Sequence, residues 1–210
     1  YDKAAELYNQ LYAKYNYYHY FSQYIECLLF LEKYDEAEEA LRSFVRRDKT
    51  TDKWRAQISL AYVYQKNDEA DKADKYLKKM INELPEDKNV FTQVANNLRM
   101  KDFEEYAIML YDRGSDIPSI NHKFYMEKAM TYQSMMNFEK ATENFLLQLE
   151  INHDDYDIVK SRLSFMIRYD MDGSVTDVMR MSLLKKTQEK PDDIVFAELL
   201  VWFALQMKDY

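Results

Sequence analysis

Apolar residues recur along this chain three and four places apart, in runs of about a dozen that short polar stretches interrupt. The clearest pair of runs is WRAQISLAYVYQKNDEADKADKYLKKMINELP, from Trp54 to Pro85. Leu60, Ala61 and Tyr64 share one face of a first helix, and Ala73, Leu77 and Met80 share one face of a second. The polar stretch Lys66-Asn67-Asp68 predicts the turn between them, and Pro85 closes the unit. Large Leu60 and Tyr64 flank small Ala61, with small Ala73 opposite, so two antiparallel helices can interlock closely.

The same phrase returns along the chain. Tyr1-Asp2-Lys3-Ala4, Tyr34-Asp35-Glu36-Ala37 and Phe138-Glu139-Lys140-Ala141 each open a helix on an aromatic and place an alanine three residues later. Ala4, Ala37 and Ala73 are 33 and 36 residues apart, and Phe103 and Phe138 are 35 apart. The first helix carries a stripe of Leu7, Tyr8 and Leu11. Residues 17–32 and 34–48 pair next, with Phe21, Tyr24, Ile25 and Leu28 facing Leu41 and Phe44. Val94, Ala95 and Leu98, then Phe103, Tyr106, Ala107 and Leu110, form a weaker unit whose turn reads one residue short. Gly114 is expected to cap a helix ahead of a loop from Ser115 to Ile120, and residues 122–151 restore the pattern. Past Asn152 it fades: a helix over 155–169 places Leu163 where a small residue is expected. Ser174 and Asp177 then read as a capping box for residues 175–188. The pattern predicts about twelve helices, two per repeat, and no strand.

Hairpins recurring every 33–36 residues, with small and large residues at set places, resemble the tetratricopeptide repeat family. The resemblance is specific over residues 17–151 and looser over 152–210. It implies an all-α fold, a right-handed superhelical solenoid of antiparallel helix pairs running through residues 1–210. Both ends cut through a hairpin, Lys208-Asp209-Tyr210 matching the place of Lys33-Tyr34, so the chain reads as a segment of a longer, bacterial protein. In the family, the first helices of successive hairpins line a concave groove that receives a peptide or a partner domain. Carried over residue by residue, that groove would comprise Ser22 and Glu26, then Arg55, Ile58, Tyr62 and Gln65. Thr92, Asn96 and Arg99 follow, and then Met126, Met130 and Gln133. Family members that grip a terminal carboxylate use lysines and asparagines where this chain has Ser22 and Glu26, which argues against a chaperone-adaptor role. The resemblance therefore implies a noncatalytic protein-interaction scaffold. Two alternatives stay open: a glycan- or small-molecule-binding solenoid using surplus aromatics, and a regulatory sensor module fused to an output domain.

Composition narrows the picture at three points. Only 2 Gly and 3 Pro in 210 residues leave little material for β-turns. The net charge of −8 splits into −3 over residues 1–105 and −5 over 106–210, so neither half offers the positive field that a phosphate backbone requires. Nucleic acid is not an expected partner. No apolar run approaches the ~20 residues of a membrane span. The single cysteine, Cys27, lies in the apolar run Cys27-Leu28-Leu29-Phe30-Leu31 and reads as a small core residue, which suits the cytoplasm or a bacterial periplasm without settling between them.

Candidate chemistry is sparse. His19, His122 and His153 are scattered and their spacing to other cysteine, histidine or acidic residues does not read as a metal site, and no cofactor motif occurs. Asp170-Met171-Asp172-Gly173 suggests a calcium loop, but aligning its glycine puts Arg168 and Met179 where carboxylates must bind. Asp154-Asp155 and Asp192-Asp193 suit helix starts. Arg42, Arg46, Arg47, Lys49, Lys53 and Arg55 surround one inter-repeat turn, read first as favourable helix-end charge and second as a dock for an acidic peptide. Tyr12, Tyr15, Tyr17, Tyr18, His19, Tyr20, Phe21 and Tyr24 cannot all face inward, so some are expected at a binding surface. Met126 and Met130 fall off the stripe of Tyr125, Ala129 and Tyr132. The last helix, with Leu199, Leu200, Trp202, Phe203 and Leu205, is apolar nearly all round. Its Trp202 face is expected to meet further chain or another copy of the protein.

Overall fold

A computed structural model describes residues 1–48, 50 and 52–207. Lys49 of the basic cluster and the Lys208-Asp209-Tyr210 ending lie outside the described residues. Within them the fold is all-α, with no strand. The helices are α1 (Asp2–Tyr15), α2 (Tyr18–Phe30), α3 (Tyr34–Arg47), α4 (Asp52–Lys66), α5 (Ala70–Glu83) and α6 (Lys88–Arg99). Then come α7 (Glu104–Asp116), α8 (Tyr125–Ser134), α9 (Phe138–Ile151), α10 (Tyr156–Arg168), α11 (Ser174–Glu189) and α12 (Ile194–Met207). A 3-10 turn at His153–Asp155 precedes α10. Twelve helices joined as hairpins is the architecture that the repeat pattern predicts.

Within four hairpins the chain turns in one way. Lys33, Glu69, Phe103 and Asn137 donate their backbone N–H to the carbonyls of Leu28, Tyr64, Leu98 and Tyr132, at 2.8–3.0 Å. The residue before each donor, Glu32, Asp68, Asp102 or Met136, is left-handed with φ of 56–58°. This is the six-to-one bond that satisfies a free carbonyl at a helix end, with no glycine to relieve the left-handed position. The accepting carbonyls lie 36, 34 and 34 residues apart. The turn at Met100–Phe103, expected to be one residue short, thus closes with the same bond as the others. Phe103 ends that turn, as Glu69 does in its repeat.

The helices form two compact units, Tyr1–Leu110 and Tyr111–Tyr210, whose boundary falls inside α7. In the first unit the core is built from Phe21, Ile25, Leu28, Leu41, Phe44, Leu60, Tyr64, Leu77, Phe91 and Leu98, all buried. Ala37, Ala61, Ala73 and Ala95 are buried at the close helix approaches, where the small-residue positions were expected. The stripe of α1 differs: Ala5 is buried while Leu7 is 55% exposed, because Leu7 lies about 200° around the helix from Ala5. In the second unit Ala129, Ala141, Phe145, Leu149, Leu163, Met166, Met179, Leu183, Phe196 and Phe203 share one core cluster.

Two local expectations do not hold. Gly114 does not cap a helix; α7 runs through it to Asp116, and the irregular stretch follows at 117–124. Ser174 and Asp177 do not form a capping box, because Ser174 is already inside α11 and Gly173, at φ 81°, takes the cap position. The carboxylate that caps α11 comes from before the turn. Asp170 accepts the backbone N–H and the hydroxyl of Thr176, and these bonds outweigh its burial and hold its carboxyl below the usual range. The Asp170–Gly173 stretch is accordingly a helix start.

Candidate functional site

The polar face of the first unit is built from alternate helices. α4 lies against α2 on one side and α6 on the other. Their outward residues enclose an open cavity of about 370 Å³. Tyr18, His19, Ser22, Gln23 and Glu26 come from α2, and Arg55, Ile58 and Ser59 from α4. Asn97 at the end of α6, with Met100 and Lys101 just beyond it, completes the lining. Three successive first helices thus contribute to one surface.

Its two cations are arranged alike. Arg55 Cζ lies 5.9 Å from the centre of the Tyr18 ring, and Arg55 Nη1 pairs with Asp52 at 3.3 Å. Lys101 Nζ lies 4.7 Å from the Tyr62 ring and pairs with Glu26 at 2.5 Å. Each cation therefore sits against an aromatic face and beside a carboxylate. Cation–ring contacts contribute about 0.5–1 kcal/mol at exposed sites, similar to the ~0.2–1 kcal/mol of an exposed ion pair. Burial raises the Tyr18 phenol to about 12, only partly offset by its hydrogen bond with Ser59, so this ring stays neutral. The floor is apolar: Ile58 is 1% exposed.

Of the groove residues expected from the sequence, Ser22, Glu26, Arg55 and Ile58 meet in this cavity. Ile58 belongs to the core, because α4 is flanked by helices on both sides. Tyr62 stands at the edge of the cavity, with Lys66 and Lys101 both within 5.0 Å of its ring centre. Gln65, Thr92, Asn96 and Arg99 do not line it. The residues that do so near the end of α6 are Asn97, Met100 and Lys101, rotated around the helix from Asn96 and Arg99. Thr92 is tied to the carbonyl of Lys88, and Arg99 Nε is buried without a hydrogen-bond partner among the described residues. Sequence reasoning missed Gln23, Ser59, Asn97 and Met100 of this lining, and above all Lys101. Lys101 stands beyond α6 in the inter-helix turn, and its pairing with Glu26 joins residues 75 apart.

Met126, Met130 and Gln133 lie on α8, in the second unit. Both methionines pack against its core cluster, since flexible side chains off the main stripe can fold back onto it. Gln133 Nε2 is buried and has no partner among the described residues. Trp202 also packs against that core, with Lys160 Nζ 5.8 Å from its ring. The exposed edge of α12 is instead Ile194, Val201 and Leu205. A second cavity, about 530 Å³, lies between α9 and α11 over Leu146 and Leu147.

The surplus aromatics have largely found one another. Tyr12, Phe21 and Phe44 group in the first core, while Tyr15, Tyr17 and Tyr20 contact one another at 6.0–6.3 Å near the α1–α2 turn. His122 and His153 pair with Glu127 and Asp193 at 3.2 and 3.1 Å, each carboxylate coming from or just before a helix start. Among the described residues no helix is long and apolar enough to cross a membrane.

No family model and no curated protein matches the chain. Solved structures with similar helical arrangements include PilF of Pseudomonas aeruginosa, at 19% identity over 99% of this chain and 91% of that one, with a TM-score of 0.35. BtubC (BKLC) from P. vanneervenii is 14% identical over 100% of this chain and 90% of that one, with a TM-score of 0.40. A putative kinesin light chain of Podospora anserina, described as having nearly identical TPR-like repeats, is 14% identical over 89% of this chain and 94% of that one, with a TM-score of 0.34. At these scores the likenesses carry no functional argument; the hairpin geometry of the chain itself defines its class.

Proposed function

We propose that this protein is a noncatalytic interaction scaffold, and that the surface formed by α2, α4 and the end of α6 receives an extended peptide or a partner domain. One observation carries the reading. Three first helices from successive hairpins place two ring-seated cations, side-chain amides and hydroxyls around an apolar floor. Such a mixture suits a peptide, whose backbone offers donors and acceptors and whose side chains alternate in polarity. Interface energy concentrates in aromatic and arginine residues at the centre of such a surface. Arg55 and the Tyr18 ring against it fill that role here, with Tyr62 at the edge.

The test is affinity capture with the 210-residue protein from cells that express it, followed by identification of the bound proteins. Arg55→Ala, Tyr62→Ala and Asn97→Ala are each expected to weaken capture while leaving the helical circular dichroism and melting temperature near those of the parent. The reading fails if all three capture as the parent does while Met181→Asp, on the α9–α11 surface, abolishes capture.

A further inference from the structure

The ion pair between Glu26 and Lys101 joins α2 to the turn after α6, with α4 lying between them. It therefore crosses the surface proposed above to receive a peptide. Its two ends are held unequally. Lys101 is 23% exposed, touches the cavity and has two partners, the Glu26 carboxylate and the Tyr62 ring. Glu26 is 41% exposed, and its only hydrogen-bond or ion-pair partner among the described residues is Lys101. The cation is anchored and the carboxylate can leave. Arg55 differs, because its acidic partner Asp52 is three residues away in the same helix and moves with it.

We infer that Glu26 is an internal latch across this surface, and that the cognate peptide carries an acidic side chain that takes its place on Lys101. This rests on the interaction-surface reading and adds a partner chemistry to it. One carboxylate exchanges for another, so the cation is never left unpaired and the number of ion pairs is unchanged. Peptide contacts with the cavity then decide the outcome. Glu26 acts as a competitor for the site, so a peptide without an acid cannot release it. Once displaced, Glu26 stands beside the incoming acid and repels it, so its neutralisation is expected to tighten binding. The chain as a whole, at −8, disfavours a polyanion that lacks a specific seat.

The probe is fluorescently labelled hexaglutamate, followed by anisotropy at low and moderate salt, with hexaglutamine and oligothymidylate as comparisons. Glu26→Gln is expected to bind hexaglutamate about threefold to tenfold more tightly than the parent. Glu39→Gln makes the same charge change on α3, where Glu39 is exposed, and is expected to change affinity less than twofold. Lys101→Met reduces binding to the hexaglutamine level, in the parent and in the Glu26→Gln background alike, while Lys101→Arg retains it. Circular dichroism confirms that each variant folds. The latch is overturned if Glu26→Gln binds no more tightly than Glu39→Gln, or if no variant binds hexaglutamate above hexaglutamine. Oligothymidylate binding that matches hexaglutamate would overturn the acidic-peptide assignment. The capture experiment with Arg55→Ala and Asn97→Ala reads the scaffold separately, so loss of the latch leaves that result standing.

Discussion

The two compact units apply one hairpin rule to different ends. Up to Leu110 the first helices keep polar, half-exposed outer faces, and their cations sit on tyrosine rings around an open cavity. From Tyr111 onward Met126 and Met130 of α8 lie against the core, and α12 carries apolar residues on both its buried and its exposed sides. The buried polar side chains fall the other way. Thr131, Thr142, Asn144 and Gln148 are the buried polar residues among those described, and all belong to the second unit. The turns diverge as well. Three of the four matching turns lie in the first unit, whereas the α10–α11 connection spans residues 169–173 and needs Asp170 and Gly173 to restart the helix. Regular turns hold successive first helices in register, and a shared outer surface follows. Once turn length varies, helices are held by core packing and outer positions are free to become apolar.

The largest expected effect tests whether the close-packed alanine rule holds in both units. Ala61→Leu in α4 and Ala129→Leu in α8 should each destabilise by ~1–3 kcal/mol, since both are 0% exposed and overpacking displaces a helix. Denaturant midpoints measure it. An unchanged midpoint for Ala129→Leu alone would mean that the second unit packs by a different rule.

Buried polarity should yield a gain in the second unit. Thr142 is 0% exposed and its hydroxyl has no hydrogen-bond partner among the described residues. Thr142→Val keeps the shape and removes an unmet polar group, so it should stabilise by ~1 kcal/mol. A loss of stability in urea melts would show that the hydroxyl is in use.

The turns predict a graded series. Replacing a left-handed residue by glycine removes ~1–2 kcal/mol of strain, offset by ~0.5–1 kcal/mol of chain entropy. Met136→Gly should therefore stabilise by roughly 0.5 kcal/mol. Asp68→Gly should do less, because aspartate tolerates this conformation. Thermal melts that rank Asp68→Gly above Met136→Gly would contradict a common turn geometry.

The smallest effect is acid sensitivity, expected in both units. Burial pushes the Glu38 carboxyl up, but Lys72 and Arg42 outweigh it and hold the group below its usual 4.5. Hydrogen bonds from Lys186 and Lys190 do the same for Glu150. A lowered folded pKa means stability that is complete above the unfolded value near 4.5 and is lost as pH falls through the folded value. These pairs are partly exposed, so solvent screening keeps the loss modest. Glu38→Gln and Glu150→Gln should each flatten the fall in melting temperature between neutral pH and pH 3.

Helix count, hairpin pairing and the buried alanines were legible in the sequence, because a 3.6-residue period and small–large alternation act within one or two turns of chain. Ala37, Ala61, Ala73 and Ala107 are all nearly or fully buried, as that alternation requires. Ser22, Glu26 and Arg55, carried over from the family resemblance, line one cavity in the structure. Local pattern could not supply the partner of Glu26, since Lys101 lies 75 residues away in a turn and only the stacking of α2, α4 and α6 brings them together. Nor could it find the cap of α11. A carboxylate six residues before the N–H that donates to it follows the path of the connecting loop, and Ser174 offered a shorter and plausible rival. Periodicity decides which side of a helix is apolar; which neighbour covers that side is set by packing, and so Ile58, on an expected groove face, ended as core.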